Sequence, residues 1–133
     1  MSGIEETVPI NDEYDIVTAR SLGKSTAASI GFGLVDQTRI STAISELARN
    51  ILRYADSGVV YIREVASVGA AGVEIVAEDH GPGIADLELA MTNGHTTGGG
   101  LGAGLPGTKR LMDEFEIDTE VGRGTIVTAR KWV

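Results

Sequence analysis

The chain has 133 residues, 42% of them hydrophobic, with a formal charge of −8 and no cysteine. That length suits one domain over residues 1–133, and the lack of cysteine excludes a disulfide framework and thiolate chemistry. The acidic balance argues against nucleic-acid and membrane partners, which need a basic face, yet backbone N–H groups and a metal could still hold a phosphate.

The first ten residues, MSGIEETVPI, are acidic and lack a basic leader, and no apolar run approaches bilayer length, so a cytoplasmic location is expected. EETVPI reads as a first strand. NDEYDIVTARSLGKSTAASIGFG reads as a helix, with Asn11 or Asp12 as N-cap and Gly31 as the stop. Asp36 can cap a second helix, QTRISTAISELARNILRYA. GVVYIREVA and GVEIVAED are two strands joined by a turn at SVGAA. A short helix over Asp86–Met91 leads into a glycine-rich segment, and Pro106 suits the first turn of a helix running to about Glu114. FEIDTEV and TIVTARKW form a closing hairpin around GRG. This order predicts an α/β (α+β) two-layer sandwich, with helices on one face of a mixed, largely antiparallel sheet.

The segment HTTGGGLGAGLPGTKRL carries six glycines. Glycine costs roughly 0.5–1 kcal/mol against alanine in ordered structure, so such density implies either a mobile loop or a ligand pressed on main-chain amides. Gly102, Gly104 and Gly107 fit G-x-G-x-x-G, but no strand precedes them and no βαβ unit follows, which argues against a dinucleotide fold. GKS at Gly23–Ser25 lacks the first glycine of a P-loop and lies inside a helix. His80 and His95 show no metal-ligand spacing and read as polar loop residues.

Three constellations carry chemistry. On the second helix, Ile40, Ile44, Leu47 and Ile51 form the buried stripe, and Glu46 and Asn50 share one flank of it. That flank is either a plain polar surface, with Glu46 paired to Arg49 or Arg53, or a carboxylate base beside an amide ligand for Mg²⁺. In GVEIVAEDHGPGI, alternation turns Asp79 inward with Val73, Ile75 and Ala77. There it either caps the turn that follows or accepts a hydrogen bond from a buried ligand. Thr125, after Gly122 and Gly124, shares its face with Val127 and Ala129 and is a second inward polar group.

Together these residues resemble the ATP-binding fold shared by gyrase, histidine kinases and MutL, the GHKL or Bergerat superfamily. Glu46–Asn50 resembles its E-x-x-x-N box, Glu78–Ile84 its D-x-G-x-G box, and Thr96–Leu105 its ATP lid and glycine box. Gly124–Thr125 falls where the last box is expected. More narrowly, TAISELARNI, AEDHGPGI and GGLGAGLPGTKRLMDEFEI resemble RsbT-type stressosome switch serine/threonine kinases of bacterial partner-switching modules.

The resemblance implies that Glu46 is the general base toward the substrate hydroxyl, or orients it, and that Asn50 ligates Mg²⁺. It implies that Asp79 accepts from the adenine amine of ATP, that Gly81 and Gly83 let the base approach, and that Thr125 helps recognise it. Thr97, Gly98, Gly100, Leu101, Gly102, Ala103 and Gly104 would surround the phosphates, with the adjoining helix N-terminus adding its dipole. Lys109 and Arg49 are possible phosphate contacts, against ordinary surface charge. His95 departs from the aromatic residue that related lids often carry.

The implied reaction is transfer of the ATP γ-phosphate to seryl or threonyl hydroxyls of STAS-domain partners, a stressosome scaffold and a co-antagonist. The released kinase would then bind and activate a PP2C-type phosphatase. The rivals are an anti-sigma factor kinase, a nucleotide-gated docking switch without catalysis and, more distantly, a dehydrogenase. The first helix and the acidic DEFEID stretch are candidate partner surfaces, or simply solvated faces.

Overall fold

The computed structural model describes residues 5–91 and 104–133. Five antiparallel strands form one sheet: β1 (Glu5–Ile10), β2 (Gly58–Ser67), β3 (Ala70–Asp79), β4 (Glu114–Glu120) and β5 (Gly124–Trp132). Their order is β1-β2-β3-β5-β4, so β3 is central and β4 is an edge. Each strand alternates, and Val8, Ile10, Val60, Ile62, Val73, Ile75, Val127 and Ala129 all turn to one buried face. Helices α1 (Glu13–Ile30) and α2 (Leu34–Ala55) cover that face, as the two-layer expectation requires.

Helix α1 begins at a capping box, in which Asp12 accepts from the Asp15 amide and the Asp15 side chain accepts from the Asp12 amide. It ends on Gly31 in the left-handed region, φ 116°. Its Gly23 lies against Ile44, and a Cβ there would collide with that side chain. The glycine of GKS therefore serves close helix packing. Helix α2 starts three residues before the sequence-predicted QTRI, with Gly33 rather than Asp36 as N-cap. The Gly33 carbonyl already accepts from the Gln37 amide at 2.9 Å, which extends the helix backward. Asp36 sits in the first turn and pairs with Arg39 at 2.9 Å.

Short helix α3 (Leu87–Ala90) is capped by Asp86, and α4 (Gly104–Leu111) packs on α2. Helix α4 stops at Leu111, short of the expected Glu114. The Asp113 amide is captured by the Arg130 carbonyl at 2.9 Å, and the buried Lys131 ammonium donates to the Leu111 carbonyl at 3.0 Å.

On the sheet's other face, Arg130 binds Glu74 at 2.7 Å and Glu114 at 3.0 Å, while the Trp132 indole donates to Glu114 at 2.6 Å. The Trp132 bond, then the Arg130 bond, hold the Glu114 carboxyl below its ordinary value. Burial works against the Arg130 charge, but its hydrogen bonds to Glu114 and Glu74 outweigh that and raise its pKa.

Candidate functional site

A cavity of about 290 Å³ opens where the C-terminal half of α2, the end of β3, the loop after it and the start of α4 meet. Its walls are mostly apolar, from Leu47, Ile51, Ala77, Ile84, Leu105 and Val127. The polar side chains among them are Asn50, Arg53, Asp79 and Thr125, with the Tyr54 ring beside them. Apolar walls with a few convergent polar groups are the usual make-up of a small-molecule site.

The sequence places Asp79 there by simple alternation. Val73, Ile75 and Ala77 are buried on the core side of β3, and Asp79 continues that row where the strand ends. Its Oδ1 accepts from the Gly81 amide at 2.9 Å. The two readings of this carboxylate thus coexist: it caps its turn and it lines the cavity. Its register partner on β5 is Thr125, whose own partner on β4 is Thr119. Three polar residues therefore stand in one row across β3, β5 and β4.

Close backbone approaches hold this end of the sheet. Gly124, at φ 131°, lies so near Asp79 that a Cβ would run into the Asp79 carbonyl. Gly83, at φ 78°, is similarly pressed on the Glu120 carbonyl, and a Cβ at Gly81 would be 2.6 Å from that of Ala55. The loop is also tied to the β4–β5 hairpin by hydrogen bonds. Gly122 donates to the Pro82 carbonyl at 2.9 Å, and the Ile84 amide donates to the Thr119 hydroxyl at 2.9 Å. Gly83 lines the cavity directly, whereas Gly81 acts through its bond to Asp79.

On α2 the buried stripe of Ile40, Ile44, Leu47 and Ile51 is as predicted. Full burial of each aliphatic side chain contributes about 1.5–3 kcal/mol, enough to fix the rotation of the helix. That rotation brings Asn50 to the cavity wall. Glu46, one turn earlier, is 7% exposed and is ion-paired with Arg49 at 2.7 Å. It does not line the cavity, and its partner Arg49 is occupied by this pair.

Gly104, at φ 65°, and Leu105 bring the first turn of α4 to the cavity. Thr97, Gly98, Gly100, Leu101, Gly102 and Ala103, together with His95, lie outside the described residues. Lys109 is exposed in the last turn of α4, the end away from Gly104, and His80 is exposed in the loop. Among the described residues no group of His, Cys, Asp or Glu could hold a metal unaided. An amide ligand such as Asn50 still fits Mg²⁺, which keeps several waters and borrows oxygens from bound phosphates.

Sequence reasoning missed Arg53 and Tyr54, which follow Asn50 by three and four residues and so share its face of the helix. It also missed Thr119, whose only signal was its place on the inward face of FEIDTEV.

Comparison with known proteins bears on the family and the fold. A family model described as the histidine kinase-like ATPase domain matches residues 9–131. The serine/threonine-protein kinase RsbT of Bacillus subtilis (strain 168) is 55% identical over 129 residues, covering 97% of each chain. An anti-sigma F factor of Thermoanaerobacter sp. (strain X514) is 29% identical over 121 residues, 86% of this chain and 83% of its own. Among solved structures, the catalytic domain of the histidine kinase ThkA superposes with a TM-score of 0.53 at 17% identity, over 95% of each chain. The histidine kinase domain of a blue-light activated kinase from Erythrobacter litoralis gives 0.53 at 21% identity, over 92% of this chain and 63% of that one. These last two speak for the fold alone.

Proposed function

The chain belongs to the histidine kinase-like ATPase domain family, and on that premise we propose that it binds ATP at the Asp79 cavity and phosphorylates protein partners on serine or threonine. It is an ATP-dependent serine/threonine-protein kinase of the partner-switching type; its 55% identical relative from Bacillus subtilis is named a serine/threonine-protein kinase. The observation that carries the site assignment is the pairing of Asp79 with Thr125 in the wall of a mostly apolar cavity. A carboxylate and a hydroxyl side by side among aliphatic walls suit a flat, amine-bearing ring.

Asp79 accepts from the exocyclic amine of adenine, and Gly81 and Gly83 let the loop pack closely on Ala55 and Glu120, which holds Asp79 in place beside the ring. The first turn of α4 presents amides toward the phosphates. Asn50 would hold Mg²⁺, which when bound would supply neutralisation of phosphate charge. Glu46 orients the acceptor hydroxyl or takes its proton, and Arg49 fixes its carboxylate in place. The γ-phosphoryl group leaves the bridging oxygen of ADP and bonds to the acceptor oxygen.

The acceptors are STAS-domain proteins of a stressosome, a scaffold and a co-antagonist, and the released kinase then engages a PP2C-type phosphatase. γ-Labelled ATP with Mg²⁺ and a STAS-domain partner tests this directly. Label on the partner with wild type and not with Glu46→Ala is expected. A second reading, a nucleotide-gated docking switch, is favoured by one observation: Glu46 is engaged by Arg49 and stands outside the cavity wall. Partner binding that depends on ATP, with no label transferred, would establish that reading instead.

A further inference from the structure

We propose that Thr119 is a positioning residue that sets the base selectivity of the cavity by fixing the direction of the Thr125 hydroxyl. This inference rests on the nucleotide reading above. Thr119 lies on β4, beyond Thr125 as seen from Asp79, and it is absent from the cavity wall. Its hydroxyl nevertheless joins three parts of the site. It donates to the Gly124 carbonyl at 3.1 Å, receives the Ile84 amide at 2.9 Å, and lies 2.8 Å from the Thr125 hydroxyl.

The third bond gains a direction once the Thr119 proton is assigned to the Gly124 carbonyl, which can only accept. A threonine hydroxyl has one proton and two lone pairs. Thr119 commits its proton to Gly124 and one lone pair to Ile84, which leaves a single lone pair for Thr125. On that assignment Thr125 is the donor of the 2.8 Å bond, and its proton points away from the cavity toward β4. The oxygen it turns to the ligand offers lone pairs only, and its neighbour Asp79 adds carboxylate oxygens beside it. An all-acceptor floor matches the amine at position 6 of adenine and repels the oxygen that inosine and guanine carry there.

Without the Thr119 oxygen, the Thr125 hydroxyl loses its acceptor and turns its proton into the cavity, where it can meet a 6-oxo group. The Ile84 amide loses its partner as well, so some general loosening accompanies the change. A ratio of affinities separates the two effects.

The test measures Kd for ATP and for inosine triphosphate with wild type, Thr119→Val and Thr119→Ser. Wild type is expected to prefer ATP by about tenfold or more, the worth of one buried hydrogen-bond mismatch. Thr119→Val should bring that ratio down by about the same factor, and Thr119→Ser should restore it. Equal weakening of both nucleotides by Thr119→Val, with the wild-type ratio intact, overturns the proposal and leaves Thr119 a structural residue. Should Thr119→Val not fold, Thr119→Cys, a much weaker acceptor of similar size, reads the same ratio with the same two outcomes. A wild type that binds neither nucleotide overturns the nucleotide reading itself, a result distinct from an unaltered ratio in the variants.

Discussion

The carbonyl of Asp79 fills the space that a Cβ at Gly124 would need, so β3 and β5 approach each other at the floor of the cavity more closely than side chains allow. Gly124→Ala must either push the strands apart or force a left-handed φ of 131° on alanine. We expect a loss of at least about 2 kcal/mol in stability by chemical denaturation, with nucleotide affinity falling in the remaining folded protein.

Asp79→Asn separates the two tasks of this side chain. The amide oxygen can still accept from Gly81, so the turn and the melting temperature should be kept within a few degrees. The charge is lost, and half of the group becomes a donor facing the amine. Calorimetric titration should show ATP affinity reduced by about tenfold or more. Unchanged affinity would remove Asp79 from the proposed site.

Glu46→Ala should retain ATP binding and lose transfer by about 10²–10⁴-fold, the range for a general base. Arg49→Ala frees the Glu46 carboxylate from its 2.7 Å partner and should lower transfer less than removal of Glu46 itself. Rates of labelled-phosphate transfer at saturating ATP distinguish these cases from a docking switch, for which neither change alters a rate.

Gly23→Ala sets two effects against each other. Helix propensity favours alanine by roughly 0.5–1 kcal/mol, whereas overpacking a close contact costs about 1–3 kcal/mol. Ile44 is fully buried and has little room to move aside, so packing should win. Denaturation midpoints should fall for Gly23→Ala and recover in part when Ile44→Val is added.

Acid stability should depend on Trp132. The Glu114 carboxyl is held below its ordinary value of 4.5 by the Trp132 indole and then by Arg130. A carboxyl lowered in the folded state contributes stability above its unfolded pKa and loses it as pH falls through the lowered folded value. Trp132→Phe should therefore raise the Glu114 pKa seen by carbon-detected NMR. It should also flatten the stability loss on acidification below the ordinary value.

The fold was largely legible because its signals are local and repetitive. Alternation in GVEIVAED, the 3.6-residue stripe of α2 and the glycine stop of α1 each report a periodic contact with the core. The two boundary misses, at Gly33 and Leu111, arise where a distant group decides: Lys131 and Arg130 on β5 end α4 from across the chain. The site divided along the same line. Asp79, Asn50 and Thr125 were readable because each interrupts an apolar pattern at a position whose face is fixed. Glu46 kept its candidacy on spacing alone, and its bond to Arg49 is the pairing that spacing equally allowed. Thr119 likewise interrupts the inward row of Phe115 and Ile117, but threonine is an ordinary strand residue, and its meaning lies in bonds to residues 84, 124 and 125 that the sequence does not show.

Helix α2 carries Glu46 and Asn50 on one unbroken rod seated in the core by Ile44, Leu47 and Ile51. Four residues at a rise of 1.5 Å set a fixed spacing of about 6 Å along the helix axis between the two backbone positions. No ligand can stretch that gauge without lifting the helix off the sheet. On the roles proposed for Glu46 and Asn50, a protein that receives a phosphate here has to bring its hydroxyl to a point the kinase has already measured out. Discrimination among partners then falls to how closely each one can approach that mark.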